Sequence, residues 1–147
     1  MTVTHFRRWQ RPAIYGCGSL LLVTGLAWLA LHYGSAADLP SPAEAWLMKL
    51  HGLASFGAFF VFGMLAASHL PQGWRATARH RGRPQRRLGL ILCVGAALMM
   101  ASAYALDYFA PENVRPALGI AHSAAGAVMA LALWLHRRTG RRFQTRT

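Results

Sequence analysis

Hydrophobic positions fall into four long runs, roughly 12–33, 44–70, 88–109 and 116–136, separated by short polar stretches. Each run is near or above the ~20 residues that a helix needs to cross the ~30 Å hydrocarbon core of a bilayer. Lipid offers no partner to an exposed backbone N–H or C=O, so runs of this length predict helices and exclude strands. The expected fold is all-α: an integral membrane four-helix bundle, with residues 1–147 forming a single domain and little chain left for an extramembrane one.

The segments around the runs agree with this plan. Pro12 ends a basic lead, MTVTHFRRWQRP, and suits the first turn of a helix. The basic start and a later GSAA mimic a secretory signal, but the apolar stretch exceeds a usual signal core, which predicts a retained helix. Gly18 and Gly25 are candidates for a close-packing seam on run one. GSAADLPSP, with Pro40 and Pro42, reads as a loop, and APENVRP is short, as expected between antiparallel neighbours. LPQGWRATARHRGRPQRR is too polar to enter the bilayer, with Trp74 expected at headgroup level.

Composition strengthens the membrane assignment, since 54% hydrophobic against 14% charged is too apolar for a soluble chain of 147 residues. A net charge of +12 raises nucleic acid as a partner, but the charges are segregated. Of the 16 basic residues, all but Lys49 and Arg115 fall before run one, between runs two and three, or after run four. The acids Asp38, Glu44, Asp107 and Glu112 lie in or beside the other two connections. This positive-inside pattern predicts both termini in the cytoplasm, with the arginines touching anionic lipid rather than nucleic acid. Cys17 and Cys93 lie within runs, and no CxxC or CxxCH motif occurs, so covalent haem attachment is excluded and packing roles are expected.

Histidines carry the candidate chemistry. His51 and His69 stand 18 apart on run two with no charge between them, on one helix face and about 27 Å apart along the axis. His122 and His136 on run four are 14 apart, within ~40° of one face and ~21 Å apart. Runs two and four point the same way under the predicted topology, which pairs His51 with His122 in the outer half and His69 with His136 in the cytoplasmic half. Paired imidazoles at matched depth predict bis-histidine haem sites. The spacings differ by about 6 Å, which favours the outer pair.

A lone interfacial histidine is more often a hydrogen-bonding residue than a ligand. Four of them, paired by depth and face, weaken that reading, because ionisable groups within spans are costly and by default functional candidates. Gly126, on the face of His122, is expected to admit a porphyrin, and Gly52, Gly57 and Gly63 are weaker equivalents. Arg75 and Arg137 adjoin His69 and His136 as candidate propionate partners, with Lys49 and Arg115 the cations near the other face. His32 is an alternative iron ligand or propionate partner, whereas His5 and His80 are expected to be solvated. Glu44 and Asp107 are the nearest proton acceptors for a quinol, although caps at the interface are the simpler reading of both.

LMKLHGLASFGAFFVFGMLAASHL with its following GWR, and ALGIAHSAAGAVMALALWLH, resemble the small bacterial four-helix membrane proteins of the cytochrome b561/DUF4405 type. His122, Gly126 and His136 match that family's pattern of histidine, nearby glycine and second histidine, and His51 through Trp74 follow it with a longer interval. The resemblance implies one or two non-covalent haem b groups between helices and electron transfer at the bacterial inner membrane. The expected function is a b-type cytochrome moving electrons between the quinone pool and a partner redox protein, as a subunit of a quinone-linked oxidoreductase. Bis-histidine iron has no open position, which suits electron transfer rather than oxygen chemistry. The alternative is a non-redox anchor or assembly subunit of a larger membrane complex. Metal-ion transport is disfavoured because no carboxylate or broken helix accompanies the histidines at mid-membrane.

Overall fold

The protein is seen in a computed structural model that describes residues 9–34, 41–76 and 83–144. His5, His80, Asp38 and the arginines at 7, 8, 79, 81 and 146 lie outside the described residues. The elements are α1 (Gln10–Gly34), α2 (Pro42–Ala67), α3 (His69–Ala76), α4 (Arg83–Tyr108) and α5 (Arg115–Gln144), with no strand among the described residues. The fold is all-α. Four stretches are long and apolar enough to cross a membrane: Gln10–Gly34, Pro42–Arg75, Pro84–Tyr108 and Arg115–Gly140.

Helix ends depart from the apolar runs for physical reasons. α4 starts at Arg83 and α5 continues to Gln144 because arginine is a good helix former, and cations near a helix C-terminus complement its dipole. α2 stops at Ala67, where the Ser68 hydroxyl donates to the Met64 carbonyl at 2.7 Å. Such side-chain bonds compete with the helical ladder, and α3 resumes at His69. At its start α2 has a capping box: Ser41 Oγ accepts from Glu44 N, Glu44 Oε1 accepts from Ser41 N, and Pro42 follows the cap.

The chain forms two compact units, Met1–His69 and Leu70–Thr147. In the first, α1 and α2 are an antiparallel hairpin: as contacts climb α2 through Glu44, His51 and Gly57, their partners descend α1 through His32, Thr24 and Cys17. In the second, α4 ascends through Gln85, Gly95, Met99 and Ser102 as α5 descends through Thr139, Met129, Gly126 and His122. Small residues let these backbones approach, as membrane helix pairs require.

Little of the surface is hidden. Ala54, Val61, Ala110 and Ala132 are the buried apolar residues, while Phe56, Phe60, Leu53 and Leu98 are each more than 60% exposed. Apolar exposure on this scale is untenable in water but ordinary where lipid tails are the solvent.

Candidate functional site

The deepest polar side chain of the first hairpin is Thr24, only 3% exposed in the middle of α1. Its Oγ1 lies 2.7 Å from the Leu20 carbonyl and 2.9 Å from Nδ1 of His51 on α2. A hydroxyl has one proton, and a carbonyl can only accept. With the Thr24 proton on the Leu20 carbonyl, His51 Nδ1–H would be the donor to Thr24. In the neutral ring this places the lone pair on Nε2. Gly25 completes the arrangement, because a Cβ there would stand 3.3 Å from His51 Cε1.

The second hairpin repeats the device with different residues. Ser102 Oγ on α4 lies 2.7 Å from Nδ1 of His122 on α5 and donates to the Met99 carbonyl at 3.0 Å. A Ser102 proton committed to the Met99 carbonyl would likewise leave the imidazole Nδ1–H as donor and the lone pair on Nε2. Gly126 faces α4, where its missing Cβ would stand 3.4 Å from the Met99 methyl. Two histidines on two hairpins thus each meet, through Nδ1, a hydroxyl bonded back to its own helix. That is the arrangement by which an outer partner orients an imidazole that binds a metal through its other nitrogen.

His136 is held differently. Gln85 Nε2 of α4 lies 3.0 Å from the His136 carbonyl, and 3.1 and 3.2 Å from its two ring nitrogens. The carbonyl contact requires the amide nitrogen on this side, and Gln85 Oε1 accepts from Thr139 Oγ1 at 2.5 Å. Near-equal distances to the two ring nitrogens put the Gln85 amide over the face of the imidazole, out of line with either in-plane lone pair, so the carbonyl is its hydrogen-bond acceptor.

His69 opens α3 just past the turn at Ser68 and is half-buried. Arg75 and Arg137 are both exposed. His32 meets Glu44, with Nδ1 and Oε2 2.9 Å apart, and stacks on Trp28 at 4.5 Å between centroids. Glu44 therefore acts as a cap and a hydrogen-bond partner of His32 together. Lys49 sits over the Trp46 ring, Arg115 donates to the Ala110 carbonyl, and Asp107 is exposed. Cys17 and Cys93 are free thiols, with Cys17 packed against Gly57.

The structure brings His32, His51, His122 and His136 each to a partner inside its own hairpin, while the partners expected for His51 and His122, and for His69 and His136, belong to different units. Among the described residues no group of three or more His, Cys, Asp or Glu converges to hold a metal ion. Thr24 and Ser102 are single polar residues in apolar runs and Gln85 one polar residue among arginines, so none of the three stands out in the sequence. One signal pointed to them: Thr24 and His51, like Ser102 and His122, are equidistant from the connection between their helices. No protein-family model, curated protein or solved structure matches the chain.

Proposed function

We propose that the protein is a membrane b-type cytochrome of the bacterial inner membrane, with both termini cytoplasmic, resembling the cytochrome b561-like group. It carries electrons between the quinone pool and a partner redox protein. His51 and His122 are the iron ligands, and the observation that carries this reading is that the Nδ1 of each lies within hydrogen-bond distance of a hydroxyl on the neighbouring helix, Thr24 or Ser102. The donor set fits haem b: two imidazoles held at Nδ1 by hydroxyls, so that Nε2 is the nitrogen that would meet iron. Haem b, when bound, supplies one-electron iron chemistry in a site of low dielectric. The chain supplies ligands, ring orientation and an apolar surround. A second haem, where one binds, would be held by His69 and His136.

The test is the visible spectrum of the purified protein. A sharp α-band near ~560 nm on reduction is expected of bis-histidine haem b. A colourless protein of full helical content sinks the proposal.

One observation favours the second reading, a non-redox anchor or assembly subunit. Thr24–His51, Ser102–His122 and Gln85–His136 are each interhelical hydrogen bonds of the kind that hold membrane hairpins together without any cofactor. The same spectrum separates the two.

A further inference from the structure

Where α3 meets the start of α4, Trp74, Arg86, Arg87 and Leu90 line an open cleft of about 240 Å³. We infer that this cleft is a binding site for the headgroup of one anionic phospholipid, its phosphodiester held by Arg86 and Arg87 against Trp74.

Three observations lead there. First, the Arg86 guanidinium carbon lies 3.2 Å from the centroid of the Trp74 ring. Stacking uses the face of a guanidinium and leaves its in-plane N–H donors for a planar or tetrahedral oxyanion. The stack therefore prepares Arg86 for phosphate rather than consuming it, and it fixes a long side chain that would otherwise lose entropy on binding.

Second, the charge at this end of α4 lacks an internal counterion. Neither Arg86 nor Arg87 has an acidic partner among the described residues. The described acids of this unit are Asp107, which lies 21 positions along α4 and so about 31 Å away, and Glu112 in the turn beyond it. Two guanidinium groups side by side call for an anion from outside the chain.

Third, the walls select the source of that anion. Leu90 continues the cleft along the apolar face of the span that begins at Pro84, and it is 54% exposed. Trp74 is a half-exposed aromatic of the kind that sits at headgroup depth. A free phosphate would gain nothing from Leu90, whereas the glycerol and first acyl carbons of a lipid would cover it. The volume is below the ~300–1,000 Å³ of sites that enclose a whole small molecule, so it suits a headgroup whose tails remain in the bilayer. Basic pockets beside membrane helices bind anionic headgroups on these terms.

The experiment uses the full chain, delipidated in detergent, with native mass spectrometry during titration by dioleoyl phosphatidylglycerol, dioleoyl phosphatidylcholine or inorganic phosphate. The expected result is one phosphatidylglycerol bound in preference to phosphatidylcholine. Arg86→Gln and Arg87→Gln should each weaken it about fivefold, and the double variant on the order of thirtyfold. Arg138→Gln, at the looser Arg138–Trp134 stack of 5.2 Å, serves as a control that should leave affinity unchanged. Circular dichroism checks that the variants keep their helices. Equal binding of the two lipids, unchanged binding by the double variant, or no bound lipid would each overturn the inference. Inorganic phosphate binding as tightly as the lipid would place a free anion in the cleft and overturn it too.

Discussion

Thr24 Oγ1 stands 2.9 Å from His51 Nδ1 and 2.7 Å from the Leu20 carbonyl, so a hydroxyl tied to the backbone of α1 also holds an imidazole on α2. Ser102 and His122 repeat the relationship on the other hairpin at 2.7 Å. An acceptor at Nδ1 makes the opposite nitrogen more basic and holds the ring plane, and both effects matter most when Nε2 binds a metal.

Replacing Thr24 by valine keeps the shape and removes the acceptor. In the proposed cytochrome Thr24→Val should weaken haem retention by roughly 10–100-fold. The reduction potential should rise, because a less basic ligand stabilises ferric iron less. Thr24→Ser should restore both. Haem titration of the apoprotein and a redox titration of the holoprotein supply the readouts. Without a cofactor, the same change should cost only about 1 kcal/mol of stability, the typical worth of one interhelical hydrogen bond in a membrane protein.

His122→Ala and His136→Ala should behave differently although their helix is the same. His122→Ala removes the haem. His136→Ala breaks the contact to the Gln85 ring partner but leaves the His136-position carbonyl to bond the amide, so it should keep the reduced spectrum. The haem-to-protein ratio measured by the pyridine haemochrome method should be one for the native protein and for His136→Ala. A ratio of two that falls to one in His136→Ala would show that the second pair binds.

What the residues alone revealed depends on how local the physics is. Span length is set by bilayer thickness, so the runs at 12–33 and 116–136 mark α1 and α5 without knowledge of their neighbours. Ends are less legible, since the arginines at 83, 86 and 87 extend α4 below its apolar run at no helical cost. Interhelical partners are the least legible. Thr24 and Gln85 acquire meaning only from the antiparallel pairing, which periodicity within one helix does not contain. Histidine spacing along α2 and α5 directed attention to pairs within a depth, whereas the nearest hydrogen-bonding partners sit one helix away in the same hairpin.

Glycines show the same limit and give a sharp comparison. Gly18 and Gly25 looked like one packing seam, yet a Cβ at Gly18 would meet nothing, while one at Gly25 would stand 3.3 Å from His51 Cε1. Gly18→Ala should therefore leave any haem spectrum unchanged and raise thermal stability by about 0.5–1 kcal/mol, the helix-propensity difference. Gly25→Ala should displace the imidazole by a few tenths of an ångström and cost on the order of 1 kcal/mol, the lower end of overpacking penalties. Thermal melts followed by circular dichroism would detect the difference. Equal effects would mean that His51 does not pack against α1 as described.

Gly95 on α4 is the tightest position in the second hairpin, because a Cβ there would overlap the Met129 sulfur on α5. Methionine is flexible and can move aside, but its neighbours on the α4–α5 seam constrain where it goes. Gly95→Ala should destabilise the hairpin by about 1–3 kcal/mol. If the clash is with Met129 alone, Met129→Ala should make room, and Gly95→Ala should then cost much less than in the native background. A double-mutant cycle on urea or detergent unfolding midpoints measures that coupling. A Gly95→Ala penalty of the same size in both backgrounds would place the conflict elsewhere, and α4 and α5 would not then meet at the Gly95–Met129 level that also aligns Ser102 with His122.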